Sequence, residues 1–350
     1  MIRERDIATG TLTFHIAECG KGPLLLLLHG VTANGRGWDA VAERLADRFH
    51  VVAVDQRGHG RSDKPPRGYA AEDYAADIAA LVDALGDGPA VVVGHSLGAR
   101  NGVVAGVNHP KSVAGVVAVD YVPFIEPEVL QLLHDRVAGG NRSFASLDAV
   151  KDYLRARYPL MPEDAIARRA QYGYRPENGA LVPRADPAGM AATCRGFQTE
   201  DFATPTRDVR VPVIFVRGKD SKLVTSAAFR RAQALRPDIQ AVEVEGADHY
   251  VPEEQPEAVA RIVAEFCATI GHGGQMQEGI EWSAPVVVQK GAKGKLVIEI
   301  PKQALARLGV KAGDVVSYTA FANGGIEVWS IKKSPYSSLA DKAKGKGKNK

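Results

Sequence analysis

The sequence predicts an α/β protein with a mostly parallel sheet under a helical cap, followed by a small β-rich module. Two observations predict it. Between residues 10 and 120, short and nearly continuous apolar runs alternate with helical patterns, as parallel strands do when helices cover both sheet faces. The net charge of +3 is also unevenly spread: residues 276–350 carry 13 Lys+Arg against 6 Asp+Glu, and residues 1–275 carry 31 against 35. That asymmetry marks a boundary between two parts.

Taken in order, strands are expected at 11–19, 24–29, 50–55, 90–96 and 113–120, with helices at 39–48, 71–85 and 97–108 between them. The five-leucine run Leu24–Leu28 is far too short for a membrane span, which needs about 20 apolar residues. Residues 121–206 break the alternation with helical, Arg-rich, Pro-punctuated sequence and no convincing strand, so they form the cap. A strand at 211–218, a helix at 226–235, a strand at 241–246 and a helix at 257–269 complete a first domain spanning 1–270. GHGGQ opens a linker (271–285), two β-rich arms flank a short helix in 286–333, and the Lys-rich end (334–350) has no apolar anchor and is expected to be disordered. The charged N-terminus lacks a secretory signal and the three cysteines, Cys19, Cys194 and Cys267, form no pattern, so a reducing, cytoplasmic setting is expected.

Chemistry is concentrated in few places. Gly94-His95-Ser96-Leu97-Gly98 lies directly between a strand and a helix, where this spacing makes a sharp turn that lifts a serine oxygen above the sheet. Ser96 is the candidate nucleophile. An unassisted hydroxyl needs a base, and His249 follows the last strand, where an imidazole reaches back over the sheet edge. Of the other histidines, His29 and His95 sit beside the site as framework and His59 lies in the Asp55–Asp63 loop.

Residues 10–270 resemble the α/β-hydrolase fold family, on GHSLG, His29-Gly30-Val31 and the segment Asp55-Gln56-Arg57-Gly58-His59-Gly60-Arg61-Ser62-Asp63. The resemblance implies an oxyanion hole from the Val31 and Leu97 N–H groups. It places the usual triad acid at position 221, which holds a serine, and offers Asp120 at the end of the preceding strand as the alternative acid. Asp120 is preferred to Asp220, which stands one residue before the usual position. A narrower resemblance, carried by HGVTA, GHSLGARN, Asp120, RYPLMP, GYRP, RGKDSKLV and GADHYVPEEQP, is to the subgroup that cleaves the enamide of 2-(acetamidomethylene)succinate in vitamin B6 breakdown. It implies an acyl-enzyme mechanism without cofactor or metal on a small anionic substrate, bound by Arg136, Arg157, Tyr158, Ser221 and Tyr250. A carboxylesterase or lactonase on the same triad, or a scaffold protein with a vestigial hydrolase domain, are the alternatives.

Residues 286–333 resemble the swapped-hairpin domain of AbrB-type regulators, on Ile300-Pro301-Lys302, Leu308-Gly309 and the Val310–Asp314 turn. That resemblance implies a homo-oligomer, since one such copy cannot bury a core alone. DNA binding through Lys290, Lys293 and Lys295 is the less favoured reading.

Overall fold

The computed structural model divides into two units near residue 281. It describes residues 1–272 and four strands, 288–290, 296–298, 316–320 and 326–330. These four form two antiparallel pairs. The linker expected beyond residue 272, the short helix and turn expected within 286–333 and the Lys-rich segment expected to be disordered lie outside the described residues.

The first unit is built on strands β1 (Arg3–Ala8), β2 (Thr13–Cys19), β3 (Leu24–Leu28), β4 (His50–Val54), β5 (Ala90–His95) and β6 (Val113–Val119), a cap hairpin of β7 (Tyr174–Glu177) and β8 (Ala180–Pro183), and the closing strands β9 (Val213–Gly218) and β10 (Gln240–Val244). Eight of them form one sheet in the order β1-β2-β4-β3-β5-β6-β9-β10, parallel from β4 onward. The leucine run β3 occupies a central position, which explains why it is apolar at every residue. Leu24, Leu26 and Leu28 face one core with helices α2 (Ala71–Leu85), α3 (Leu97–Asn108) and α9 (Ser226–Leu235). Leu25 and Leu27 face the other, with α1 (Asp39–Leu45) and α11 (Pro256–Thr269). All five are at most 1% exposed, so truncating any one to alanine carries the cavity cost of about 2–5 kcal/mol.

The cap rises between β6 and β9 as α4 (Pro127–Gly140), α5 (Leu147–Arg157), α6 (Glu163–Gly173), the β7–β8 hairpin, α7 (Pro187–Thr199) and α8 (Ala203–Asp208). It has its own small core of Val150, Leu154, Tyr158, Met161, Ala165, Ile166 and Ala170. The strand-free reading of 121–206 is corrected here. Asn178 and Gly179 both adopt positive φ, 50° and 78°, and Glu177 pairs with Ala180 across them. An Asn-Gly pair in a two-residue loop is the strongest short-range hairpin signal, and it stands in the sequence. The N-terminal segment is also a strand, β1, absent from the expected set. It lies at the sheet edge with only Ile7 buried, so its sequence shows charges where a central strand would show an apolar run.

Candidate active site

Ser96 sits at the junction of β5 and α3 with φ 52° and ψ −110°, a conformation costing an L-residue about 1–3 kcal/mol unless its surroundings enforce it. They do. Its N–H donates to the Val119 carbonyl at 2.9 Å, and the flanking glycines allow backbone to meet backbone. A Cβ on Gly94 would stand 2.3 Å from Gly98, and one on Gly98 would stand 2.3 Å from the Leu28 carbonyl oxygen.

Asp120, directly after the neighbouring strand β6, is a second residue at positive φ, 47°, and its N–H is held by the Val216 carbonyl at 2.7 Å. Its carboxyl is fully engaged: Oδ2 accepts from His249 Nδ1 at 2.7 Å and from Ser221 Oγ at 2.6 Å, and Oδ1 accepts from the Gly218 N–H at 2.9 Å. Burial raises the affinity of Asp120 for a proton, and the Ser221 and Gly218 donors act against it. Burial holds the His249 imidazolium down, to about 3, and the charge of Arg136 adds to the effect. The His249 imidazole is therefore neutral at physiological pH. Ser96, Asp120 and His249 line one small chamber with Tyr121, Leu223 and Val224. Asp220 is exposed and its N–H donates to the Ala247 carbonyl, so the structure brings Asp120 to His249 and leaves Asp220 outside. Ser221 also accepts from the Val224 N–H at 3.0 Å, which fixes its hydroxyl hydrogen toward Asp120.

Leu97 is the first residue of α3, so its N–H has no intrahelical partner. Val31 lines a neighbouring pocket together with His249, Tyr250, Arg136 and Arg157. The loop carrying Val31 is wired from beneath by two neutral histidines. His29 Nε2 accepts from the Gln56 N–H and its Nδ1 donates to the Gly30 carbonyl; His59 Nε2 accepts from the Thr32 N–H and its Nδ1 donates to the Arg57 carbonyl. Burial holds both imidazoles down, to about 4 and about 3. His95 Nε2 binds the His249 carbonyl at 2.7 Å and so fixes the backbone that carries the His249 ring.

The cap supplies cations. Arg136 on α4 lines the Val31 pocket, and its Nη1 is buried without a partner. Arg157, at the end of α5, donates to the hydroxyls of Tyr158 and Tyr153, each at 2.9 Å, and to the Arg136 carbonyl. It faces both this pocket and a larger cap cavity of about 380 Å³. Tyr158 and Tyr250 meet edge to face, with ring centroids 4.6 Å apart. A third guanidinium stands behind them: Arg169, on α6, lies 4.7 Å from the Tyr158 ring and 4.5 Å from that of Tyr250, and is paired with Glu253. Nothing in the sequence separates Arg169 from its neighbours Arg155 and Arg168, which bind exposed carboxylates. Among the described residues no cluster of His, Cys, Asp or Glu could hold a metal ion.

A serine on a strained strand-to-helix turn, over a mostly parallel sheet and beside a buried Asp–His pair, is the arrangement of an α/β hydrolase. Residues 23–256 match the model of the alpha/beta hydrolase fold family, and the chain belongs to that family. Within it, the chain is 48% identical over 262 residues to the 2-(acetamidomethylene)succinate hydrolase of Mesorhizobium japonicum, covering 75% of this chain and 94% of that protein. A crystal structure of E-2-(acetamidomethylene)succinate hydrolase superposes with a TM-score of 0.75 at 47% identity, covering 77% of this chain and all of that one. The N-formylmaleamate deformylase of Pseudomonas putida is more distant, 27% identical over 70% of this chain and 88% of its own length.

Proposed function

We propose that this chain is a cofactor-free serine hydrolase that cleaves the amide of a small dicarboxylate of the 2-(acetamidomethylene)succinate type. Ser96 Oγ attacks the acetamido carbonyl while His249 Nε2 takes its proton, and Asp120 orients the imidazole through Nδ1. The Val31 and Leu97 N–H groups receive the oxyanion, a donor pair in which each member is worth roughly 10²–10³ in rate. Collapse expels the enamine nitrogen with a proton from His249 and leaves an acetyl ester on Ser96, which water then cleaves to acetate. The freed enamine hydrolyses to ammonia and an aldehyde, and loss of carbon dioxide gives succinic semialdehyde.

The observation that carries this reading is the Arg136 guanidinium. It is a half-buried cation whose Nη1 is buried and unpartnered, in the same pocket as His249 and beside Arg157, whose own partners are all neutral. Such a pocket suits an anion, because a buried guanidinium N–H without an acceptor is otherwise costly. The similarity to an enzyme of that name supports the same substrate. Ser221, Tyr158 and Tyr250 complete the proposed binding set.

The test is a direct assay of the purified protein on 2-(acetamidomethylene)succinate beside neutral aryl acetates. Release of acetate, ammonia and succinic semialdehyde, abolished in Ser96→Ala, is the expected result. Turnover of the esters alone, insensitive to Arg157→Ala, would replace this reading with a carboxylesterase or lactonase. We further read residues 286–333 as a homo-oligomerising module, supported by its two antiparallel strand pairs, and the whole protein as cytoplasmic. Among the described residues no helix is long and apolar enough to cross a membrane. Light scattering of the full chain checks the oligomer, and a monomer mass would remove it.

A further inference from the structure

We propose that Arg169 is a positioning residue for substrate binding: it seats Tyr158, in the wall of the cap cavity, and Tyr250, in the wall of the pocket beside the Ser96 chamber, and ties the cap to the segment that carries His249. The proposal rests on the amide-hydrolase reading of that chamber. Arg169 Nε donates to Glu253 Oε1 at 2.8 Å and Nη2 donates to Oε2, a two-pronged pair. Glu253 belongs to the short helix α10 (Val251–Glu254), four residues after His249. The Arg169 side chain is 12% exposed and that of Glu253 6%, whereas the carboxylates bound by Arg155 and Arg168 are all more than half exposed. A desolvated pair of this kind contributes little net stability against apolar packing of the same shape, so its value lies in fixing geometry.

That geometry leads to the substrate pocket. The guanidinium lies against both phenol rings, and Tyr250 in turn packs against His249 with ring centroids 5.1 Å apart. The Tyr158 hydroxyl accepts from Arg157 Nε at 2.9 Å, and Arg157 reaches on to the Arg136 carbonyl. A continuous chain, Glu253–Arg169–Tyr158–Arg157–Arg136, therefore joins α10 to α4. It contains both cap arginines proposed to hold the substrate carboxylates. Arg169 lines the larger cap cavity beside Arg157 and Tyr158 but not the pocket that holds Arg136 and His249; on that pocket it acts through its neighbours. A lysine keeps the charge but lacks the planar fork that pairs with a carboxylate while stacking on a ring.

The experiment compares wild type, Arg169→Lys, Tyr158→Phe and the double variant, by steady-state kinetics on 2-(acetamidomethylene)succinate and on an aryl acetate. For Arg169→Lys the expected result on the dicarboxylate is a KM raised about tenfold or more with kcat within about threefold, the signature of lost binding rather than lost chemistry. In the Tyr158→Phe background the same substitution should have a smaller effect, since residues in one network are not additive. A scaffold role alone would lower the active fraction, and with it kcat, at wild-type KM; that outcome, or full additivity, overturns the proposal. If Arg169→Lys does not fold, Glu253→Gln gives the second measurement, with the same KM shift expected and an unchanged KM overturning the idea. A wild type that cleaves only the ester defeats the dicarboxylate reading and the role that rests on it; where the dicarboxylate is cleaved, the KM for the neutral ester should stay near wild type in Arg169→Lys, and an equal rise on both substrates overturns the proposal alone.

Discussion

Asp120→Asn separates orientation of the base from every other feature of the site. The substitution preserves shape, and asparagine tolerates the positive φ of 47° found there, so the fold should survive. The hydrogen bonds should not. Asp120 accepts three donors, and an amide has one oxygen to offer. If that oxygen stays on the Gly218 N–H, the new NH₂ group faces His249 Nδ1 and forces that nitrogen to accept. The imidazole proton then moves to Nε2, the atom that must take the serine proton. If the amide turns round, its NH₂ opposes the Gly218 N–H and leaves a buried donor unsatisfied, at a cost of about 1–3 kcal/mol. The first arrangement avoids this clash, so the wrong tautomer dominates. Loss of the orienting carboxylate in a serine triad lowers turnover by roughly 10⁴, which corresponds to about 5.4 kcal/mol. The assay is kcat on the amide substrate, with the thermal midpoint as a check on folding. A kcat within about tenfold of wild type, in a folded Asp120→Asn protein, would refute the assignment, the more so if Asp220→Asn lost activity instead.

Three further outcomes follow from the same geometry. On a neutral ester, which does not itself titrate, kcat/KM should show no acid limb centred at the ordinary histidine value of 6.5, because burial and the charge of Arg136 hold the His249 imidazolium well below it, while a limb nearer 8 would report Asp120, which burial raises; a limb centred at 6.5 would contradict this. Arg136→Met should raise KM for the dicarboxylate by about tenfold or more while leaving the KM for a neutral ester near wild type, since only the former loses a charge-assisted partner; equal shifts for both substrates would count against an anion pocket. Gly98→Ala should yield little folded protein, because the added Cβ would stand 2.3 Å from the Leu28 carbonyl oxygen; a variant with normal expression and thermal midpoint would show the β5–α3 junction to be looser than described.

The parallel sheet was legible because its strands are buried on both faces, so the apolar runs ending at Leu28, Val54, His95 and Val119 stand out from their flanks. The elements not anticipated are those where burial is weak. The strand β1 has one buried residue, and the strands of the β7–β8 hairpin have none; only its Asn-Gly turn betrays it. The placement of Ser96 and His249 follows from local patterns next to strand ends. Asp120 could be set ahead of Asp220 only through the family resemblance, which places the usual acid at Ser221 and an alternative at the end of the preceding strand, and the structure supplies what the sequence lacks, a hydrogen bond to His249 Nδ1. Arg169 was invisible for another reason. Its side chain pairs with Glu253, 84 residues away, and no local period reports so long a contact.

Ser221 has one more consequence. Its hydroxyl ends 2.6 Å from the carboxylate of Asp120, and the two residues hang from the ends of adjacent parallel strands, β6 and β9. The imidazole is thus approached from two strand tips that meet at nearly the same point. A negative charge at that point orients the ring, and the backbone position that delivers it is a separate choice. The carboxylate is therefore portable: the exchange Asp120→Ser with Ser221→Asp would carry it from one strand tip to the next while the histidine stays in place. A fold with two such berths can reassign its acid without rebuilding its base.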